Sequence, residues 1–281
     1  GFVVPPDAYA RFMGRYAEPL AEVFASFAGV GAGDKVLDVG CGDGLLARRL
    51  AHAPQHAHEA VVALEQARAG DDSWGYNPAH LFAVESVLGG PDGLKDLVKA
   101  AHQRGLAVIV DVVYNHFGPS DLATWQFDGW SENGKGGIYF YNDDRSSTPW
   151  GDTRPDYGRP EVRAFIRDNA VSWLNDFHAD GLRFDMTPYI RSRDGSGMDI
   201  PEGWEMMREV NSLVREQFPD RLLIAEDMQQ NPAVSSTDEG GAAFHAQWDG
   251  AFVHPIREAL KASNDDERSL EAVATAILKT Y

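Results

Sequence analysis

Three apolar segments of this sequence end in side chains that could do acid–base chemistry. In chain order these side chains are Asp111, Asn115 and His116, then Arg183 and Asp185, then Glu226 and Asp227. If the segments are parallel strands, their carboxyl ends lie at one rim, which is where barrel enzymes place their active sites. Carboxylates that are brought together repel each other, and this raises the pKa of one of them. One ionised carboxylate beside one protonated carboxylic acid is the pair that glycoside hydrolysis requires.

Each acid taken alone has a simpler interpretation, since an acid at a strand end can merely cap a loop or form a salt bridge. The occurrence of such acids on three successive strands favours a shared site instead. Arg183 and Asp185 are two residues apart and therefore point to the same face of their strand. The Arg183 cation is expected to keep the Asp185 carboxylate ionised. Glu226 stands next to Asp227, which is expected to push the pKa of Glu226 upward.

The hydrophobic pattern around these acids predicts an α/β fold with parallel strands. Helices are predicted at 19–27, 45–52, 92–104, 160–177, 203–217 and 269–279, and strands at 35–39, 61–65, 106–113, 181–186, 221–227 and near 247–253. This alternation is typical of right-handed β-α-β units, although periodicity alone does not distinguish an open sheet from a closed barrel. Residues 114–158 are predicted to be a long functional loop, because they are rich in Gly, Asp and aromatic residues and too long for a simple connection.

Composition limits the classes of function. The chain of 281 residues has 25 Lys and Arg against 43 Asp and Glu, a net charge of -18, which disfavours nucleic acid as a partner. The single cysteine, Cys41, excludes an internal disulfide framework and a cysteine metal cluster. No apolar run is long enough to span a membrane, and no segment resembles a signal peptide. These features predict a soluble cytoplasmic protein with no membrane partner.

The motifs around the acids resemble a known family. "DVVYNH" (111–116), "GLRFDM" (181–186) and "IAED" (224–227) are similar to three signature regions of the alpha-amylase superfamily of retaining α-glucan enzymes. "WGYNPAHLFAVES" (74–86) and "YFYNDDRSSTPWGDTRPDYGRPEVRAFI" (139–166) also resemble that family, the latter most closely its branching enzymes and trehalose-releasing members. The resemblance spans about residues 71–260. It implies a (β/α)8 TIM barrel that is only partial here.

The resemblance implies a role for each matched residue. It makes Asp185 the nucleophile and Glu226 the general acid/base, with a separation of about 5 Å between their carboxyl groups. It assigns binding of the reactive sugar to Asp111, His116 and Tyr76. Aromatic side chains near the long loop are expected to serve partly in sugar binding and partly in loop packing. The six residues are Trp74, Trp125, Trp130, Tyr139, Tyr141 and Trp150. Asn115 matches a calcium-ligand position of some amylases, but no metal site is predicted.

One catalytic residue of the family has no counterpart. The family's third carboxylate follows a histidine in a short His-Asp motif, and no His-Asp pair occurs after Glu226. The sequence also accounts for four or five of the eight barrel strands. We therefore expect a chain that is weakly active or inactive, with exposed sheet edges through which it could self-associate.

The N-terminal region resembles a different family. "KVLDVGCGDG" (35–44) is similar to the first motif of S-adenosylmethionine-dependent methyltransferases, which implies cofactor contacts at Asp38, Gly40, Gly42 and Glu65. The alternative is a strand–helix turn without a ligand. The chain then divides into a methyltransferase-like βα segment, 1–65, and a partial barrel, 66–281. Whether the Rossmann-like unit joins the barrel sheet is left open.

Three functions follow from these resemblances. The main hypothesis is a retaining hydrolase or glucanotransferase acting on an α-1,4-glucan or maltooligosaccharide, incomplete as this chain. The alternatives are an S-adenosylmethionine-dependent methyltransferase and a chimeric fold without catalytic activity.

Overall fold

The computed structural model describes residues 35–38, 57–62, 77–86, 89–118 and 122–278. The helices predicted at 19–27 and 45–52 lie outside the described residues. The same holds for Tyr76, Gly40, Gly42 and Glu65, while Asp38 is described only as the last residue of a strand.

The described strands form one six-stranded parallel sheet in which sequence order and spatial order agree. The strands are β1 Lys35–Asp38, β2 Ala57–Val62, β3 Ala107–Val112, β4 Gly181–Phe184, β5 Leu222–Ala225 and β6 Ala246–Gln247. Each pairs in parallel with the next, so β1 and β6 are the edges of the described sheet. The strand of the glycine-rich motif therefore joins the same sheet as the strands that end in acids.

Helices lie between the later strands and after β6. They are α1 Gly90–His102, α2 Pro160–Asn175, α3 Pro188–Arg191, α4 Pro201–Gln217, α5 Gly250–Lys261 and α6 Leu270–Leu278. Gly105, which directly follows the helix predicted at 92–104, has φ 72°, a left-handed conformation that glycine adopts without strain. The alternation of helix and parallel strand confirms the α/β fold predicted from the sequence.

One predicted strand is wrong. The segment near 247–253 was expected to be extended, but β6 ends at Gln247 and α5 begins at Gly250. Asp249 causes the change, because its carboxylate accepts a hydrogen bond from the Ala251 N–H at 2.8 Å and so caps the helix.

The apolar residues of the sheet divide into two clusters on its two faces. Val108, Val110 and Val112 of β3 pack in the main core, which also contains the inward residues of α2 and α4. The intervening Ile109 lies in a second, smaller cluster with Ile224 and the partly buried Trp248. This alternation along β3 is that of a strand with both faces covered, as its continuous apolar run predicts.

The long segment 114–158 is ordered by polar contacts, and its only regular element among the described residues is a short 3-10 turn, Asp144–Ser146. Arg154 is fully buried and donates hydrogen bonds to the backbone carbonyls of Ser147, Tyr189, Ser192 and Arg193. These bonds fix the loop against the segment that follows β4. Across the described residues, no helix combines the length and apolar character needed to cross a membrane.

Candidate active site

The acids of three strands meet at the carboxyl edge of the sheet. Asp111 of β3 is in register with Arg183 of β4, and Asp185 follows β4 at once. Glu226 is the residue directly after β5. The side chains of Asp111, Asp185 and Glu226 are 24%, 22% and 15% exposed, so the cluster is partly open to solvent. The convergence predicted from strand order is present.

Arg183 holds the cluster together. Its Nη1 lies 2.6 Å from both carboxylate oxygens of Asp111 and 3.2 Å from Oδ1 of Asp185, and its Nη2 lies 2.7 Å from Oε2 of Glu226. The face of Trp248 covers the guanidinium group, with 4.1 Å between Cζ and the ring centroid. Burial alone would lower the pKa of Arg183, but the surrounding carboxylates, Asp111 foremost, raise it above its ordinary value.

Burial and mutual repulsion give two of the acids higher pKa values than ordinary carboxylates have. Burial raises the pKa of Glu226 to about 7, with Arg183 opposing the shift and the Asp185 carboxylate adding to it. Burial likewise raises the pKa of Asp111 to about 6, again against the effect of Arg183. Glu226 is therefore a carboxyl group that can hold a proton near neutral pH.

The cause of the raised pKa of Glu226 differs from the expected one. Asp227, its sequence neighbour, is completely buried and faces away from the cluster toward Arg191, with 3.1 Å between Oδ2 and Nε. The acid that adds to the pKa of Glu226 is Asp185, through its negative charge. Consecutive residues at a strand end point to opposite faces, which explains why Asp227 contributes elsewhere.

Asn115 fixes the orientation of Asp185. Its Nδ2 donates to the backbone oxygen and to Oδ2 of Asp185, both at 2.8 Å. Its Oδ1 contacts Nδ1 of His116. Both ends of the Asn115 amide are thus used within the protein, which does not suit a calcium ligand. The described residues contain no group of three or more His, Cys, Asp or Glu side chains arranged to hold a metal ion.

His116 is buried beneath an aromatic side chain. It is 1% exposed, and Trp150 stacks on it with 4.6 Å between ring centroids and 9° between ring planes. Its Nε2 lies 3.0 Å from Oδ1 of Asn77. Trp150 in turn meets the edge of Tyr189 at 5.3 Å. His116 is therefore connected to Asp185 through Asn115, and Trp150 covers one face of its ring.

Sequence reasoning did not single out three residues of this site. Trp248 covers Arg183, Asn77 contacts His116, and the Met186 N–H donates to Oε2 of Glu226 at 3.0 Å. Met186 follows Asp185 directly in the chain, so its sequence position could have indicated that it lies close to the acids. The contacts of Trp248 and Asn77 join distant segments and leave no local signal.

The fold and the site together define a class: a β/α protein with parallel strands and a cluster of carboxylates around one arginine at their carboxyl ends. Comparison with known proteins specifies the family. Residues 66–128 match the family model described as alpha amylase, catalytic domain. The resemblance of this part of the chain to the alpha-amylase superfamily is thereby confirmed.

Individual relatives agree with this assignment. The chain is 34% identical over 203 residues to a 1,4-alpha-glucan branching enzyme of Oceanobacillus iheyensis, covering 66% of this chain and 31% of the relative. It is 36% identical over 215 residues to a malto-oligosyltrehalose trehalohydrolase of Saccharolobus solfataricus, covering 75% of this chain and 35% of the relative. The chain therefore spans about a third of the length of these curated relatives.

A solved structure extends the similarity toward the N-terminus. A Salmonella typhimurium protein assigned as an alpha-amylase has a TM-score of 0.63 and 25% identity, covering 87% of this chain and 42% of its own. That share of this chain is larger than residues 66–281 alone contain, so the match includes part of the segment before residue 66. The similarity of fold is consistent with a partial TIM barrel.

Proposed function

We propose that this chain is an α-glucan-acting glycoside hydrolase or glucanotransferase with a retaining mechanism. The observation that carries the proposal is the single Arg183 guanidinium contacting Asp111, Asp185 and Glu226 at the carboxyl ends of three parallel strands. The named activities of the relatives, branching of 1,4-alpha-glucan and release of trehalose from malto-oligosyltrehalose, support an α-glucan substrate.

The proposed roles follow from the chemistry of each group. Asp185, held by Arg183 and Asn115, attacks the anomeric carbon of the sugar as an oriented nucleophile. Glu226 holds a proton near neutral pH, and it donates this proton to the leaving glycosidic oxygen. The ester formed on Asp185 is then hydrolysed by water, or transferred to a hydroxyl acceptor, with Glu226 now removing the proton.

The geometry favours retention over inversion. Asp185 and Glu226 contact the same Arg183 guanidinium group, and such closeness is typical of retaining enzymes, whereas inverting enzymes hold their carboxyl groups about 6.5–9.5 Å apart. The expected separation of about 5 Å stays a prediction. Weak or absent activity of this chain also stays a prediction. A cytoplasmic location and S-adenosylmethionine binding near Gly40 and Gly42 are also predictions from the sequence.

A substrate that needs no acid for its first step tests the proposal even when turnover is slow. With α-glucosyl fluoride, Asp185 displaces fluoride and forms an ester without a proton from Glu226, whereas the next step needs Glu226 as base. The Glu226→Gln variant should therefore accumulate a glucosyl ester on Asp185, detected by intact-protein and peptide mass spectrometry. Hydrolysis of maltooligosaccharides should fall by at least about 100-fold in Asp185→Asn and Glu226→Gln.

Matched controls separate this chemistry from a general effect of substitution. Asp96 and Glu205 are exposed on α1 and α4, so Asp96→Asn and Glu205→Gln make the same changes away from the site. Both controls should behave as the wild type. Equal residual activity in all five proteins, together with no ester on Asp185, would remove these residues from the mechanism.

A further inference from the structure

A buried ion pair lies directly behind the candidate acid/base. Asp227 and Arg191 are 0% and 2% exposed, and Arg191 holds the carboxylate at both oxygens: Nε lies 3.1 Å from Oδ2, and Nη2 lies 3.3 Å from Oδ1. Asp227 is the residue after Glu226 in the chain. Arg191 is the last residue of α3, which begins three residues after Asp185. The pair therefore joins the two segments that present the proposed nucleophile and the proposed acid/base.

Thr187 connects this pair to the backbone of Glu226. Its Oγ1 lies 3.1 Å from the backbone oxygen of Glu226 and 3.3 Å from Oδ2 of Asp227. Its own N–H donates to the same Glu226 oxygen at 3.1 Å. Thr187 is fully buried, so these bonds do not compete with solvent. The backbone of Glu226 is thus fixed from the segment that follows Asp185.

The same segment supplies a contact to the Glu226 side chain. The Met186 N–H donates to Oε2 of Glu226 at 3.0 Å, and Met186 has φ 39°, in the left-handed region that residues other than glycine rarely occupy. Backbone strain of this kind persists only where surrounding contacts impose it. The hydrogen bonds of the adjacent Thr187 are such contacts, because they hold the turn in the conformation that aims the Met186 N–H at Glu226.

Further bonds extend the network away from the site. Arg191 Nη2 donates to Oε1 of Gln229 at 2.7 Å, and the Gln229 N–H lies 3.3 Å from Oδ1 of Asp227. Arg191 and Gln229 also donate to the backbone oxygens of Gly197 and Gly195. A buried ion pair is weak evidence for stability, since desolvation offsets its attraction. Because it joins the two segments that carry the proposed catalytic carboxylates, its role is better explained by geometry than by stability.

We propose that Asp227, Arg191 and Thr187 form a positioning unit that holds the Glu226 carboxyl group against the Met186 N–H. None of the three touches the reacting atoms, so they act through Met186 and Glu226. An effect of this unit on catalysis rests on the function proposed for Glu226. Its effect on the position of the Glu226 carboxyl group does not.

The Met186 amide is a direct reporter of this geometry. When Glu226 titrates, an N–H that donates to its carboxyl oxygen changes its proton chemical shift with the same midpoint. The charged groups facing Glu226 are Arg183 and Asp185, with Asp111 beyond Arg183, and all of them stay in place in the variants below. The amplitude of the pH-dependent Met186 shift, measured by two-dimensional NMR on the whole chain, therefore reports how well the carboxyl group is held.

Thr187 offers a matched pair of variants. Thr187→Val keeps the side-chain shape but removes the hydroxyl, whereas Thr187→Ser keeps the hydroxyl. We expect the amplitude of the Met186 titration to fall at least twofold in Thr187→Val and to stay at the wild-type value in Thr187→Ser. Asp227→Asn should lower it as well. If Thr187→Val does not fold, the neutral double variant Asp227→Asn/Arg191→Gln makes the same comparison without leaving a buried charge unpaired.

Two outcomes overturn the proposal: unchanged amplitude in the folded variants, or an equal loss in Thr187→Ser and Thr187→Val. A lower melting temperature with unchanged amplitude would mean that the network only stabilises the fold. Formation of the glucosyl ester on Asp185 is measured separately in Glu226→Gln. Its failure removes the proposed function but leaves the Met186 titration intact, so the two proposals fail independently.

Discussion

Arg183 holds the site together, whereas burial raises the pKa values of two of its acids. One guanidinium group contacts Asp111, Asp185 and Glu226, yet Glu226 and Asp111 still have raised pKa values because burial outweighs its effect. The neutral donor to the Asp185 carboxylate is the Asn115 side-chain amide, whereas the neutral donor to the Glu226 carboxylate is the Met186 N–H. Groups of the same chemical type can therefore take different roles, because their surroundings differ.

The raised pKa of Glu226 makes the stability of the protein depend on pH. Since burial raises the pKa of this carboxyl group from 4.5 to about 7, the folded state holds its proton more tightly than the unfolded state. This stabilisation is complete below pH 4.5 and is lost as the pH rises through about 7. Between pH 5 and pH 8 the loss amounts to about 2–3 kcal/mol of unfolding free energy.

Glu226→Gln removes this titration. Relative to the wild type, the variant should gain about 2–3 kcal/mol of unfolding free energy at pH 8 compared with pH 5, measured by urea denaturation. The contribution of Asp111 to the pH dependence of stability is present in both proteins, so it cancels when the variant is compared with the wild type. Glu205→Gln on the exposed face of α4 is the control and should show no such pH dependence. An equal difference between Glu226→Gln and wild type at both pH values would contradict the prediction.

At the scale of elements, the close approach of α4 to α3 sets the position of Arg191. Gly203, in the first turn of α4, packs on the carbonyl group of Ile190, and any Cβ atom at residue 203 would overlap that oxygen. The sequence predicted a helix over 203–217 from the spacing of Met206, Met207, Val210 and Val214, all of which are buried. It did not indicate why a glycine begins that segment, because the reason lies in another element.

Gly203→Ala should therefore reverse the usual effect of helix propensity. Alanine within a helix is favoured over glycine by about 1 kcal/mol, but here the overlap with Ile190 forces α3 and α4 apart. We expect a net destabilisation of about 2 kcal/mol, measured by urea denaturation. The control Ser212→Ala, on the exposed face of α4, should change stability by no more than about 0.5 kcal/mol. Equal or higher stability of Gly203→Ala would refute the packing argument.

Local pattern explains which elements the sequence predicted correctly. The apolar runs that became β3, β4 and β5 are each placed within two residues, because burial on both faces leaves a continuous hydrophobic signal. The strand expected near 247–253 is a helix from Gly250, because the cap at Asp249 outweighs the apolar residues that follow it. Contacts between distant segments, such as Trp150 on His116, have no counterpart in local periodicity.

At the scale of the whole molecule, one sheet spans both segments into which the sequence was divided. β1 and β2 lie within residues 1–65, and β2 pairs with β3 from Glu59↔Ala107 to Val62↔Val110. All these strands pair in parallel, so the strands of the two segments have compatible twist and hydrogen bonding. Division into domains 1–65 and 66–281, and self-association through the sheet edges, stay predictions from the sequence.

The continuity of the sheet predicts that the two regions unfold together. Val61 of β2 pairs with Ile109 of β3, and β2 lies between β1 and β3, so a proline at residue 61 would disrupt an interior strand. Val61→Pro should lower the unfolding free energy by about 2 kcal/mol or more and keep a single transition. It should also speed hydrogen exchange at the amides of Ile109 and Val110.

Val61→Thr, which keeps the branched shape and the backbone N–H, is the matched control. Unchanged protection of β3 in a Val61→Pro variant would mean that the N-terminal strands fold as a separate unit, because a disrupted β2 that shared the sheet would expose its neighbour to exchange.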